Sequence, residues 1–201
     1  MIKNAVFDIG RVLLYYEPEK YLRSLGYINE TLDLAMERIF LNRLWEDMDR
    51  GAYETFEELI LAIVKQYPDY EKDTRRILQK GWSRIISPIA ESVDFFYELK
   101  SLGYNIYLLS NFSKPGFAYA EEAYGFLREV DGKVISYETG FLKPEESIYR
   151  ELLDRYGLVP DETVFFDDLR VNTDGAAKLG IHGIVYNNAP EARDMFFKVA
   201  G

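Results

Sequence analysis

The sequence predicts an α/β fold: a parallel sheet covered on both faces, with a helical unit inserted after the first strand. Three observations carry this. Short apolar runs recur without polar alternation, helix-like stretches separate most of them, and residues 15–87 contain helix-like patterns only. Strands buried on both faces do not alternate, and strands that take turns with helices build parallel sheets.

The first strand is expected at Ala5–Phe7, broken at once by Asp-Ile-Gly. Others are expected at Asn105–Ser110, Lys133–Ser136, Thr163–Phe166 and Gly183–Tyr186, all short and rich in β-branched or aromatic residues. A helix is predicted over Pro88–Leu102, with Ile89, Val93, Phe96 and Leu99 on one face and Gly103 ending it. Pro144–Tyr156 opens with proline and two glutamates and closes at Gly157. Thr173–Leu179 is closed by Gly180. Within the insertion, amphipathic helices are expected near Glu17–Leu25, Thr31–Leu41, Thr55–Tyr67 and Tyr70–Lys80. The expected division is therefore residues 1–14 plus 88–201 as the core and 15–87 as a helical cap. Both ends of such an insertion lie at the carboxyl edge of the sheet, where open α/β folds bind ligands.

Of the 201 residues 48% are apolar, enough for a packed core. The formal charge of −10 speaks against nucleic acid and anionic membranes, which are bound through clustered Lys and Arg. With no cysteine and one histidine, thiolate catalysis is excluded and a Ser-His-Asp triad would depend on His182, which is expected to serve packing or hydrogen bonding. No long apolar run is present, and a cytoplasmic protein is expected. Its oligomeric state is left open.

Four polar clusters each follow an expected strand: Asp8, Ser110-Asn111, Lys143-Pro144 and Asp167-Asp168. In a parallel sheet all carboxyl ends meet at one edge, so clusters spread over the chain converge in one crevice.

The stretches VFDIGRVL, LLSN, GFLKPEESIY and VFFDDLRVNTDGAAKLGI resemble the four ordered motifs of the haloacid dehalogenase superfamily, most of whose members are phosphatases. Within it the chain is similar to the small bacterial sugar-phosphate phosphatases of the YihX type, whose first motif reads Asp-x-Gly. The resemblance implies a Rossmann-like three-layer core with a C1-type helical cap. It implies a phosphatase of a small phosphorylated metabolite, such as a sugar phosphate, with Asp8 as the nucleophile that becomes an aspartyl-phosphate. Ser110 and the amide of Asn111 would bind phosphoryl oxygens, and Lys143 would neutralise their charge. Asp8, Asp167 and Asp168 would repel one another unless protonated or bridged by a cation, and an all-oxygen site suits Mg²⁺, with the Gly10 carbonyl as a further ligand. Asp168 is the expected direct ligand, with Asp167 or Asn172 holding metal-bound waters.

Two positions depart from the fuller pattern. Gly10 stands where a carboxylic acid would protonate the leaving group and activate water, a contribution of about 10²–10⁴ in rate. Arg11 stands where small or neutral residues are usual. Its guanidinium is expected either to contact a substrate anion or an acidic residue at the cap hinge or to extend from the turn into solvent. Arg50 is a candidate substrate contact from the cap, and Tyr15, Tyr16 and Trp45 are candidates for the pocket wall. The rival functions are a non-catalytic binder of phosphorylated ligands, consistent with Gly10, and a 2-haloacid dehalogenase, against which Gly10 speaks.

Overall fold

The computed structural model describes residues 1–79 and 81–201. Its strands are β1 (Asn4–Phe7), β2 (Leu14–Tyr16), β3 (Ile86–Pro88), β4 (Asn105–Ser110), β5 (Gly132–Ile135), β6 (Thr163–Asp167) and β7 (His182–Val185). Five of them form a wholly parallel sheet of order β5-β4-β1-β6-β7, so β1 is central and buried along its whole length. The expected parallel α/β sheet is present.

Alternate residues of the strands feed two cores, as the pleat requires. Phe7, Leu108 and Phe166 point to one face, and Val6, Leu109 and Phe165 to the other. Phe7 stacks on Phe166 with ring centroids 4.8 Å apart, and Phe95 meets both rings edge-on. The helices of the core are α6 (Ala90–Ser101), α7 (Lys114–Ala123), α8 (Ser136–Thr139), α9 (Glu146–Tyr156), α10 (Arg170–Ala177) and α11 (Ala189–Ala200), numbered after the five of the insertion. Buried residues of α6, α7 and α11 cover the Phe7 face, and those of α9 and α10 cover the Val6 face.

The insertion consists of α1 (Pro18–Ser24), α2 (Asn29–Ala35), α3 (Arg43–Asp49), α4 (Phe56–Gln66) and α5 (Glu71–Leu78), with a π-helical turn over Met36–Phe40. Lys80, at the end of the helix expected over Tyr70–Lys80, lies outside the described residues. Thr55 caps α4 by accepting from the Glu58 amide at 3.3 Å, and Asn42 caps α3 by accepting from the Leu44 amide at 2.9 Å. Leu22, Ile39, Met48, Leu59, Ile63 and Ile77 are fully buried and continue the Phe7-face core into the insertion.

The expected boundaries at residues 15 and 87 fall inside a feature that periodicity did not suggest. β2 and β3 pair antiparallel, Leu14 opposite Pro88 and Tyr16 opposite Ile86, so the two chain passages between core and insertion brace each other. No helix among the described residues is long and apolar enough to cross a membrane.

Candidate active site

Sheet register places the first pair of site residues. Phe7 lies opposite both Leu108 and Phe166, so one residue further along Asp8 comes level with Asp167. The Asp8 amide donates to the Phe166 carbonyl at 2.9 Å, which keeps Asp8 on the sheet edge. Ser110 ends the neighbouring strand and donates to Asp8 Oδ1 at 2.7 Å. The Ile9 amide donates to the same oxygen at 2.7 Å.

Lys143 completes the cluster from the loop before α9. Its Nζ is 2.8 Å from Asp8 Oδ1 and 2.6 Å from Asp167 Oδ2, and the side chain is almost fully buried. Asn111 fixes it from behind: its side chain accepts from the Lys143 amide at 2.8 Å and donates to the Lys143 carbonyl at 3.1 Å. Asp167 is wholly buried and accepts from the Leu169 amide, from Asn172 and from Lys143. Asp168 is more open and lies 3.7 Å from the Arg11 guanidinium.

The electrostatic balance of this cluster is negative. Burial pushes the Asp8 carboxyl up to about 6, with Lys143 opposing the shift and Asp167 adding to it. Burial works against the Lys143 ammonium, but Asp8 and Asp167 outweigh it and hold its pKa above the usual value. Asp168 is raised by burial and by Asp167, against Arg11 and Lys143. Asp8, Asp167 and Asp168 offer oxygens that all lie within 4.8 Å of one another. Three hard oxygen donors with one ammonium between them fit a small divalent cation, Mg²⁺ above all. Asp168 has the carboxylate with fewest protein partners, whereas three donors already occupy Asp167.

Gly10 and Arg11 lie in a tight turn in which the Leu13 and Leu14 amides both donate to the Ile9 carbonyl. A Cβ added at Gly10 would meet nothing within 4 Å, so the place of the missing carboxylic acid is open space. Arg11 has φ of 59°, a left-handed conformation that Gly or Asn adopts more readily and that costs another residue roughly 1 kcal/mol. Its side chain is 57% exposed yet turns towards Asp168 and lies over the Tyr16 ring at 5.9 Å.

Above the sheet edge is a cavity of about 310 Å³ bordered by Gly10, Arg11, Asn111 and Asp168 on one side and by Tyr16, Trp45 and Asp49 on another. Tyr15 is half exposed and does not border it. An adjoining cleft shares Asp49 and Asn111 and reaches Lys143 and Arg50. Arg50, expected as a substrate contact, is engaged across the seam between insertion and core. It donates to the Gly140 carbonyl at 3.0 Å and to Glu145 at 2.5 Å. His182 bonds the Asp161 carbonyl far from this edge. Asp49 was not singled out from the sequence, since in WEDMDRG nothing distinguishes it from Asp47 or Glu46 until α3 is docked.

A model of the haloacid dehalogenase-like hydrolases matches residues 2–180, which includes every residue of this cluster. The chain belongs to that family. It is 25% identical to the sesquiterpene phosphatase astK of Aspergillus oryzae over 189 residues, covering 90% of this chain and 88% of the relative. It is 23% identical to the D-ribitol-5-phosphate phosphatase of Bacteroides thetaiotaomicron, covering 96% of both chains. Among solved structures, a HAD family enzyme of Bacteroides thetaiotaomicron in complex with magnesium and inorganic phosphate superposes with a TM-score of 0.72 at 22% identity, covering 92% of this chain and 93% of the other. That likeness shows the shared fold. As a member of this family, the protein is a hydrolase.

Proposed function

We propose that this hydrolase is a Mg²⁺-dependent phosphomonoesterase that acts on a small organic phosphate through an aspartyl-phosphate on Asp8, in the cytoplasm and without a nucleic-acid partner. Lys143 carries the case: a buried ammonium joins Asp8 to Asp167 while Ser110 and the Ile9 amide engage the same Asp8 oxygen. All three donors fall on Oδ1, so Oδ2 is the oxygen free to form a new bond. Oδ2 attacks phosphorus, the bond from phosphorus to the organic oxygen breaks, and that oxygen takes up a proton. Water then attacks the same phosphorus, releasing inorganic phosphate and restoring the Asp8 carboxylate. Ser110 and the Asn111 amide hold the phosphoryl oxygens, and Lys143 offsets their charge as the bonds change. Asp8, Asp168 and the Gly10 carbonyl would hold the ion, with Asp167 and Asn172 behind them. When bound, Mg²⁺ neutralises both the carboxylates and the phosphoryl group. The phosphatase relatives support this reading, as does the helical insertion that roofs the site like a cap.

Hydrolysis of p-nitrophenyl phosphate with Mg²⁺ and with EDTA tests it. Turnover should require Mg²⁺, and the ion should raise the melting temperature, by the equivalent of about 2.7 kcal/mol at a hundredfold excess over its dissociation constant. Hydrolysis undiminished by EDTA would remove the metal from the proposal. A folded protein that binds Mg²⁺ and turns nothing over would instead be the non-catalytic binder.

A further inference from the structure

The cavity between insertion and sheet edge has a polar end and an apolar body. Gly10, Arg11, Asn111 and Asp168 form the end next to the reactive cluster. The body is walled by Phe40, Trp45 and Phe56 of the insertion, by Trp82 and by Ile86 of β3, and by Phe112 of the core. Its rings form a continuous row, with centroids 4.9 Å apart from Phe40 to Trp45, 6.4 Å from Trp45 to Phe56 and 4.4 Å from Phe56 to Trp82. The wall is therefore packed in advance of any ligand.

We propose that the organic part of the substrate is an apolar alkyl, aryl or prenyl group, so that the enzyme hydrolyses the phosphate monoester of an apolar alcohol and not a sugar phosphate. The proposal rests on the phosphatase reading above. A sugar brings about four hydroxyls, each needing a partner. Apart from the polar tips of Tyr16 and the tryptophans, the body offers Asp49 and Ser113. A buried hydroxyl left without a partner loses about tenfold or more in binding, whereas each methylene placed against such a wall gains on the order of tenfold.

Geranyl and benzyl phosphate should be hydrolysed with kcat/KM at least a hundredfold above that of glucose 1-phosphate or ribitol 5-phosphate. Trp45→Gln and Phe56→Gln should shrink that ratio tenfold or more. Sugar phosphates turned over as well as geranyl phosphate would overturn the proposal. Binding of the same compounds to the Asp8→Asn protein separates this question from turnover. Tighter binding of geranyl phosphate supports the apolar pocket even if no ester is hydrolysed, and equal or weaker binding overturns it.

A separate observation concerns the proton that such leaving groups require, because alkoxides leave poorly and Gly10 has no acid to give. Asp49 ends α3 at the wall of the same cavity, and that end is fastened to the core. The Asp49 carbonyl accepts from Ser136 Oγ at 2.5 Å, and Arg50 grips Gly140 and Glu145. Gly51, at φ 83°, lets the chain pass so close that a Cβ there would lie 2.5 Å from the Tyr137 carbonyl oxygen. The charged and titratable groups around the carboxyl are Glu46 on its own helix, Tyr16 on β2, Arg11 and Asp168 across the cavity, and Arg43, Asp47, Arg50, Lys143 and Glu145 along the adjoining cleft that Asp49 also borders.

We infer that Asp49 replaces the absent carboxylic acid at Gly10 as general acid and base. Protonated, it gives its proton to the leaving oxygen as the phosphorus–oxygen bond breaks. As carboxylate, it then takes a proton from the water that attacks the aspartyl-phosphate, and returns to its first state. Burial, reinforced by Glu46, pushes its carboxyl up to about 7, which suits both duties near neutral pH.

Asp49→Asn should slow geranyl phosphate turnover by about 10²–10⁴. With p-nitrophenyl phosphate, which needs no acid, it should give a burst of one equivalent of p-nitrophenol followed by slow turnover. Wild-type turnover of alkyl esters should fall as pH climbs above about 7, where the acid form is lost, and this limb should vanish in Asp49→Asn. Adding Gly10→Asp to Asp49→Asn should restore steady turnover, since a Cβ at Gly10 meets nothing within 4 Å. Unchanged alkyl-ester rates in a folded Asp49→Asn, or slow p-nitrophenyl phosphate hydrolysis without a burst, would overturn the assignment.

Discussion

Asp8→Asn should abolish phosphatase turnover, by about 10³-fold or more, while leaving the fold intact. The substitution keeps the shape of the side chain and an oxygen for Ser110 and the Ile9 amide, which now donate at 2.7 Å each. What it removes is the carboxylate oxygen proposed to attack phosphorus. Stability should change little, because the carboxyl is already pushed up to about 6 by burial and a neutral amide suffers less from that burial. Lys143 keeps its contact with Asp167 at 2.6 Å. Steady-state kinetics on p-nitrophenyl phosphate, alongside a thermal melt, check both halves. A folded variant with more than a tenth of wild-type activity would mean that Asp8 is not the nucleophile.

This residue shows why the cluster was legible in the sequence. A parallel sheet sends every strand's carboxyl end to one edge, so Asp8, Ser110 and Asp167 need only be read as lying at or just past strand ends to be read as neighbours. The register then does the rest, because Phe7 opposite Phe166 brings Asp8 level with Asp167. Lys143 is positioned by a loop, but Asn111 holds its backbone, and both residues were candidates from their motifs.

Features that depend on how the insertion docks were not legible. The ribbon of β2 and β3 has three residues in each strand and joins segments about seventy residues apart, so no periodicity marks it. Helix α3 went unread because Met48 is the one buried residue of Arg43–Asp49, so no apolar stripe marks it, although Asn42 is a strong start signal. Asp49 and Arg50 follow from it: adjacent in sequence, one borders the cavity while the other bridges to Glu145. Arg11 was unusual by its size, but its left-handed backbone and its approach to Asp168 emerge only once the turn is built.

Lys143→Met should be the most destabilising change at the site and should also remove most activity. Among the described residues Lys143 is the sole cation in contact with both Asp8 and Asp167, at 2.8 and 2.6 Å, and all three are buried. Deleting one member of a buried ionic group leaves the others uncompensated, at about 3–5 kcal/mol. Methionine keeps an apolar stem against the Phe165 ring, over which Nζ now lies at 5.3 Å, so the loss reports charge more than packing. Without the ammonium, which lowers the Asp8 pKa, that pKa must rise further above its unfolded value. A carboxyl raised in the folded state contributes its stability at low pH and loses it as pH climbs through the folded value. The variant's deficit in urea denaturation should therefore be largest above pH 7 and shrink towards pH 5, where a proton stands in for the lysine. Mg²⁺ should recover part of the stability by neutralising the same carboxylates. Activity should stay down by about 10²–10³-fold, because neither a proton nor the ion restores the cation proposed to face the phosphoryl oxygens. A deficit independent of pH would show that Lys143 contributes packing and not charge.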